Sequence, residues 1–426
     1  MRKELAELVA SRAFWLLLLF VGLLAGQAFI SAVDAYAEAS GIGGGVAALP
    51  QALSPFEGVV TPVLGAYDLA IMLLFPFVAI RLVASEKSSD ALKLMLQWPA
   101  RMGTQIAAKV IALLFAWAVS LVPLAAALAL WSWYGGHLNA AETINVLAGY
   151  TLRFLLTAAM AMAAAALMPG AANAAILVLG FTIGTWALDF LAAGRGGLLQ
   201  TLALYTPTAT LRTFERGLFR ADVALVMLTL ALLGFAIAAI WLQVRARIGR
   251  TIIAAAIAAL LAAAASFAPW SADLSENRRN SFSPADAQTL ARIREPLTVT
   301  AYLAAEDPRM NDFAANVLTK LRRSVRRLRV EYPFAGRSGL FDNDDRYGQI
   351  HYRLGAKSAT SRSTTEEIVL DTIYGLAGVA PPARVASSYP GYPLARRPAG
   401  AAIVFYALWP AVVVTAFLAR RSRSSR

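Results

Sequence analysis

The chain has 426 residues, 58% of them hydrophobic and 15% charged, with a formal net charge of +13. An ordinary soluble domain carries roughly 25% charged residues, so this composition describes a polytopic membrane protein, and the apolar residues are indeed clustered in long runs. The absence of cysteine excludes disulfides, thiolate zinc sites, iron–sulfur clusters and cysteine nucleophiles.

In chain order, Met1 to Arg12 reads as a short amphipathic lead-in at the cytoplasmic interface, with Arg2, Lys3 and Arg12. Ala13–Val33 exceeds the ~7–15 apolar residues of a signal peptide and reaches the about 20 needed to cross a bilayer. It is therefore read as a retained first span, although Ala35-Tyr36-Ala37 mimics a cleavage site. The loop from Asp34 to about Pro62 holds Asp34, Glu38 and Glu57 and no Lys or Arg, which places it outside. A second span near Tyr67–Val83 leads into the polar, mostly cationic stretch Arg81–Lys109, placed inside by the same bias. There, Ser88 or Ser89 can cap a short helix whose first turn holds Asp90 and which Pro99 ends. Asp90, Lys93 and Gln97 share one face of it, and Leu92, Met95 and Leu96 another. Such a helix can touch a soluble partner.

The third span, Ile106–Trp131, is expected to kink at Pro123 and to end in an aromatic belt of Trp131, Trp133 and Tyr134. An outer turn around Gly135–Glu142, a fourth span near Val146–Leu167, an inner turn at Met168-Pro169-Gly170 and a fifth span near Ala174–Leu191 follow. The outer segment Ala192–Asp222 carries Arg195, Arg212, Arg216 and Arg220, against the charge bias. A sixth span, Val223–Gln243, ends in Arg245, Arg247 and Arg250, and a seventh, Thr251–Pro269, returns outward. Ser271–Arg397 is polar and turn-rich. Ala399–Leu418 is the last span, followed by a basic tail.

Within the polar region, Leu297–Leu303 is strand-like and Phe313–Arg329 helical, with Val317, Leu321, Val325 and Leu328 on one face. Val330–Tyr332 and Gln349–Leu354 read as strands. Thr364-Thr-Glu-Glu367 reads as a capping box opening a helix through Leu376, which Gly378 closes. The expected fold is a polytopic α-helical membrane protein of about eight transmembrane helices with a small extracytoplasmic α/β domain between the last two. Both termini are then cytoplasmic.

No catalytic, cofactor or metal motif is present. His137 and His351 are the only histidines, without His-Glu-x-x-His or Gly-x-Ser-x-Gly around them. Gly355-Ala-Lys357-Ser358 has Ala356 and His351 where a phosphate loop needs glycines, so the chain has no motor. The basic run Lys320–Arg329 reads as the solvated face of a helix rather than a nucleic-acid site. Arg153 and Asp189 are the intramembrane polar residues singled out. Each lies toward the outer end of its span, so snorkelling to the interface competes with a role in a substrate path.

The stretch Glu86-Lys87…Leu92-Lys93-Leu94…Pro99 resembles the first cytoplasmic loop of ABC-2 type transporter permeases, with Asp90-Ala91 and Lys93 replacing that family's Gly-Thr and Glu. Thr213-Phe-Glu215-Arg-Gly-Leu218 is similar to the region before the last span of gliding-motility-type permeases. Asp273-Leu-Ser-Glu276-Asn-Arg278-Arg-Asn-Ser-Phe-Ser283-Pro284 and Glu295–Leu303 resemble the companion auxiliary protein of those systems, in a shortened form. The resemblance implies a six-helix permease over 1–250, a further span over 251–270, an auxiliary α/β domain over 271–397, and a last helix with a cytoplasmic tail over 398–426. It also implies a non-enzymatic export subunit of the cell membrane, without a cofactor of its own. ATP would be bound by a separate cytoplasmic ABC ATPase, acting through Glu86, Lys87, Asp90, Leu92, Lys93, Leu94 and Pro99. A dimer or partner permease would complete the pore, with membrane lipid around it and no nucleic acid as partner. A non-transporting envelope or motility scaffold and a secondary transporter are the alternatives.

Overall fold

A computed structural model describes residues 2–42, 54–88, 102–192, 198–243, 247–268, 270–304, 307–334, 345–383, 389, 391–394 and 400–424. Among these the chain is mostly helical, and eight helices are long and apolar enough to cross a membrane. The lead-in is α1 (Arg2–Ala10), which extended Ser11 separates from α2 (Arg12–Ala39). A π-helical turn, Phe56–Val60, opens α3 (Thr61–Ser88). The third apolar segment is broken at Leu121 into α4 (Met102–Ser120) and α5 (Val122–Trp133). Pro123, which has no amide hydrogen and clashes with the preceding turn, sits in the first turn of α5, where both defects are harmless. Next come α6 (Ala140–Leu167), capped by the Asn139 side chain on the Glu142 amide, and α7 (Ala171–Ala192). After α8 (Leu198–Ala203), α9 (Pro207–Glu215) and β1 (Leu218–Arg220), two further long helices are α10 (Ala221–Trp241) and α11 (Arg247–Ser266). Then follow β2 (Ser271–Asp273), α12 (Pro284–Arg292), β3 (Leu297–Ala301), α13 (Pro308–Phe313), α14 (Thr319–Ser324) and β4 (Leu328–Glu331). β5 (Ile350–Leu354), β6 (Lys357–Ser361), α15 (Glu366–Ala377), α16 (Ala401–Ile403) and α17 (Trp409–Ser424) complete the chain.

These elements form two units, one of Met1–Thr182, Ala221–Trp270 and Tyr389–Arg426, the other of Ile183–Arg220 and Ser271–Ser388. In the first, α3 and α6 are central, with 61% of each apolar stretch buried, against 11% for α11. Ile252, Ile253 and Leu260 on α11 are more than half exposed. A helix apolar on all sides and little covered by protein suits lipid rather than water. Small residues bring the helices close: a Cβ on Gly234 of α10 would stand 2.9 Å from the Ala159 Cβ of α6. On α2, Gly22 and Gly26 share one face at i, i+4. A Cβ there would collide with the Trp409 ring at Gly22 and with Phe405 at Gly26. The last helix docks through this notch, with Trp409 Nε1 donating to the Leu18 carbonyl at 2.8 Å.

The aromatic belt expected at Trp131, Trp133 and Tyr134 is reduced to one residue. Trp133 is exposed, but Trp131 is fully buried, donating Nε1 to the His137 carbonyl at 2.9 Å, and Tyr134 stacks on Phe29. The reason is helical spacing, which turns Trp131 and Tyr134 to one face, toward the bundle, and Trp133 to another.

The second unit holds a four-stranded mixed sheet in the order β4-β3-β5-β6, with β3 parallel to β4 and the other pairs antiparallel. Alternate residues Leu297, Val299 and Ala301 of β3 and Ile350, Tyr352 and Leu354 of β5 are buried against Leu290, Phe313, Leu321, Val369 and Ile373. Of the phosphate-loop-like Gly355-Ala-Lys357-Ser358, Gly355 and Ala356 are the turn of the β5–β6 hairpin, with Gly355 at φ +58, and Lys357 and Ser358 open β6. Two sequence expectations are corrected here. The helix foreseen to Arg329 ends at Ser324, and Leu328–Glu331 becomes a strand because it pairs with Leu297–Thr300, sheet pairing overriding helical periodicity. The capping box is not formed either: Thr365 is at the cap position, but its hydroxyl is engaged by Ser363 at 2.8 Å.

Candidate functional site

Of the residues expected to meet an ATPase, Asp90, Leu92, Lys93, Leu94 and Pro99, with the short helix around them, lie outside the described residues. Glu86 and Lys87 are described, in the last turn of α3; Glu86 is buried, and half-buried Lys87 turns to the end of α6. Glu86 is 3% exposed and its carboxylate accepts from Lys3 of α1 and Lys109 of α4, each at 2.9 Å. Lys109, 1% exposed, also donates to Glu4 at 2.8 Å and to the Leu82 carbonyl at 3.1 Å, while Glu7 stands 3.7 Å from Lys3. Burial works to lower the Lys3 pKa, but the hydrogen bond and charge of Glu86, backed by Glu7 and Glu4, outweigh it and raise the ammonium above its ordinary value. Glu4, Glu7 and Glu86 bring carboxylate oxygens within 4.8 Å of one another, a spacing that suits a cation. Two lysine ammoniums already supply that cation, both on Oε1 of Glu86, so the cluster reads as a set of ion pairs. Lys87 spends its donors on the Ala165, Ala166 and Met168 carbonyls at 3.0, 3.1 and 2.7 Å, satisfying acceptors that the end of α6 leaves open.

Glu86-Lys87 was legible only as a motif. Its partner Lys109 is a charged residue at the edge of an apolar helix, and Glu4, which that lysine also serves, was not singled out in the sequence. What the arrangement does physically is tie α1, α4 and α6 to the last turn of α3, immediately before residues 89–101.

A second polar group lies within the spans. Arg153 of α6 is 6% exposed, its side chain covered by protein. Its Nε stands 3.7 Å from Asp68 of α3, and one terminal nitrogen contacts the Met72 sulfur at 3.2 Å. Close by in sequence, Tyr67 bonds Ser120 at 2.8 Å and meets Tyr150 edge-on. Asp68 is a site residue that the sequence reading missed, although a carboxylate inside an apolar run is itself the signal. In the second unit, Asp189 pairs with Arg212 at 3.0 Å, so one of the arginines that offended the charge bias has a carboxylate beside it.

The two motif segments Thr213–Leu218 and Asp273–Pro284 are physically one structure. Leu218–Arg220 pairs antiparallel with Ser271–Asp273, and the Leu274 amide donates to the Gly217 carbonyl at 2.8 Å. Asp273 accepts from Ser275, from Asn280 at 3.2 Å and from Ser281 at 2.7 Å, while Arg279 and Asn280 donate to the Arg216 carbonyl. Burial pushes the Asp273 pKa up, but the Ser275, Ser281 and Asn280 hydrogen bonds outweigh it and hold the carboxyl below its ordinary range. Gly217, at φ +75, makes the contact possible, for a Cβ there would stand 2.7 Å from the Ser275 Cβ.

Comparison with protein-family models, with curated proteins and with solved structures returns no match for this chain.

Proposed function

We propose that this chain is the permease subunit of an ABC-2 type exporter, driven by a separate cytoplasmic ATPase that engages residues 89–101. ATP belongs to that partner, and a second copy or a partner permease completes the pathway. The chain would lie in the cell membrane, with both termini cytoplasmic and residues 271–397 extracytoplasmic as an auxiliary domain.

The observation that carries the reading is the bracing on either side of the loop. Glu86 and Lys87 precede it and Lys109 follows it, and these three side chains connect α1, α3, α4 and α6. A push on the loop would therefore be shared by four helices instead of bending one. The test is Asp90→Ala with Lys93→Ala in vesicles reconstituted with the ATPase. ATP hydrolysis should persist while transport falls at least tenfold. Unchanged transport per ATP would remove the loop from the mechanism.

The second reading, a secondary carrier, draws on the pair of buried Arg153 with half-buried Asp68. In that case Asp68→Asn abolishes gradient-driven uptake in vesicles containing this chain alone. As an exporter subunit, the chain alone transports nothing.

A further inference from the structure

Where α2 begins and α17 ends, the first unit contains a cavity of 590 Å³ lined by Val9, Ala10, Arg12, Phe417, Arg420 and Arg421. Among the described residues, half of its lining is guanidinium-bearing and half apolar, and none of it is acidic. Its walls are fixed: Trp15 donates Nε1 to the Val9 carbonyl at 2.8 Å and meets Phe417 edge-on at 6.0 Å, and Arg420 donates to the Ala6 carbonyl at 2.8 Å. Arg12 is the first residue of α2, and Arg420 and Arg421 lie in the last turns of the span Ala401–Ser422, so all three are at the ends of membrane-length helices. Continuing along α2 from Arg12, Leu16 and Phe20 follow at one-turn intervals and are 51% and 45% exposed; on α17, Leu418 and Val414 are similarly exposed.

We propose that this cavity binds one anionic phospholipid, its phosphate held by Arg12, Arg420 and Arg421 and its acyl chains laid along Leu16, Phe20, Val414 and Leu418. Guanidinium is the side chain whose planar donor fork matches phosphate oxygens. A basic pocket between transmembrane helices at the depth of the headgroups is the physical form such lipid sites take. A free phosphate would use the arginines but leave the adjoining apolar surface without a role, so the lipid is the better fit. The inference requires that α2 and α17 span a membrane, and it does not depend on the export reading.

The experiment uses the full chain purified in mild detergent and presented with equal amounts of phosphatidylglycerol and phosphatidylcholine, the retained lipid being counted by native mass spectrometry. The wild-type chain should keep one phosphatidylglycerol per protein at no less than a fivefold preference, undiminished by added inorganic phosphate. Arg12→Gln with Arg421→Gln should lose the preference, and Arg12→Lys with Arg421→Lys should keep most of it. Photoactivatable phosphatidylglycerol on the wild-type chain should label peptides containing Val9, Leu16 or Phe417, a readout that stands even where a variant fails to fold. Equal retention of the two lipids, displacement by inorganic phosphate, an unaltered preference in the Gln variant, or labelling confined to other helices would each overturn the proposal.

Discussion

Lys109→Met is the sharpest perturbation of the brace between α1, α3 and α4. The ammonium it removes is 1% exposed and serves Glu4 at 2.8 Å, Glu86 at 2.9 Å and the Leu82 carbonyl at 3.1 Å. Met fills nearly the same volume, so the loss is electrostatic. Removing one partner of a buried ion pair costs about 3–5 kcal/mol, because the other charge remains buried and uncompensated. Lys3 still serves Glu86 here, which places the cost near the lower end, about 3 kcal/mol, or on the order of 100-fold in the folded-to-unfolded ratio. Lys3→Met removes a side chain that is 47% exposed and should cost under about 1 kcal/mol, as solvent-screened pairs do. Denaturant unfolding in detergent micelles, followed by tryptophan fluorescence, measures both. Adding Glu4→Gln and Glu86→Gln to Lys109→Met removes the stranded charges and should restore most of the loss. Equal stability of Lys109→Met and wild type, or a larger loss for Lys3→Met, would refute the reasoning.

Gly217→Ala places a methyl 2.7 Å from the Ser275 Cβ at φ +75, and should destabilise the β1–β2 ladder by about 2 kcal/mol. Faster hydrogen exchange at the Phe219 and Ala272 amides would report it; unaltered exchange would contradict the close contact. Asp273 has its folded pKa held below the unfolded value of about 3.9. Its contribution to stability is therefore fully present above that unfolded value and is lost as pH falls through the folded one. Acid unfolding of wild type should lose this contribution below about pH 4, and Asp273→Asn should be less stable at neutral pH and flatter across the acid range. An acid profile for Asp273→Asn that parallels wild type would show that the carboxylate is not coupled to folding.

The helices were readable because lipid imposes length and apolarity on the sequence, and the break before Pro123 was readable because proline's defect is local. Where elements meet was not readable. Trp131 and Trp133 look alike in sequence, yet helical phase buries one and exposes the other. Leu328 continues a helical pattern, but a partner strand far back in the chain claims it. Of the candidate site, Glu86 and Lys87 stood out as motif residues, while their direction depends on Lys3, Lys109 and the open carbonyls of α6. Asp68 was visible in principle and became meaningful only opposite Arg153. The interlock of Gly217 with Asp273–Asn280 joins segments separated by two membrane-length helices, and no periodicity signals it.

Residues 89–101 offer the most direct test of ATP-driven export, and the chain's lack of cysteine makes the test clean. Gln97→Cys introduces the only thiol, on the polar face of the expected loop helix. A thiol-to-amine crosslinker applied to membranes containing this variant should trap a protein that hydrolyses ATP, at a rate that changes at least twofold when the purified chain is added. No ATPase trapped at that position, or one whose rate is indifferent to this chain, would contradict the exporter reading.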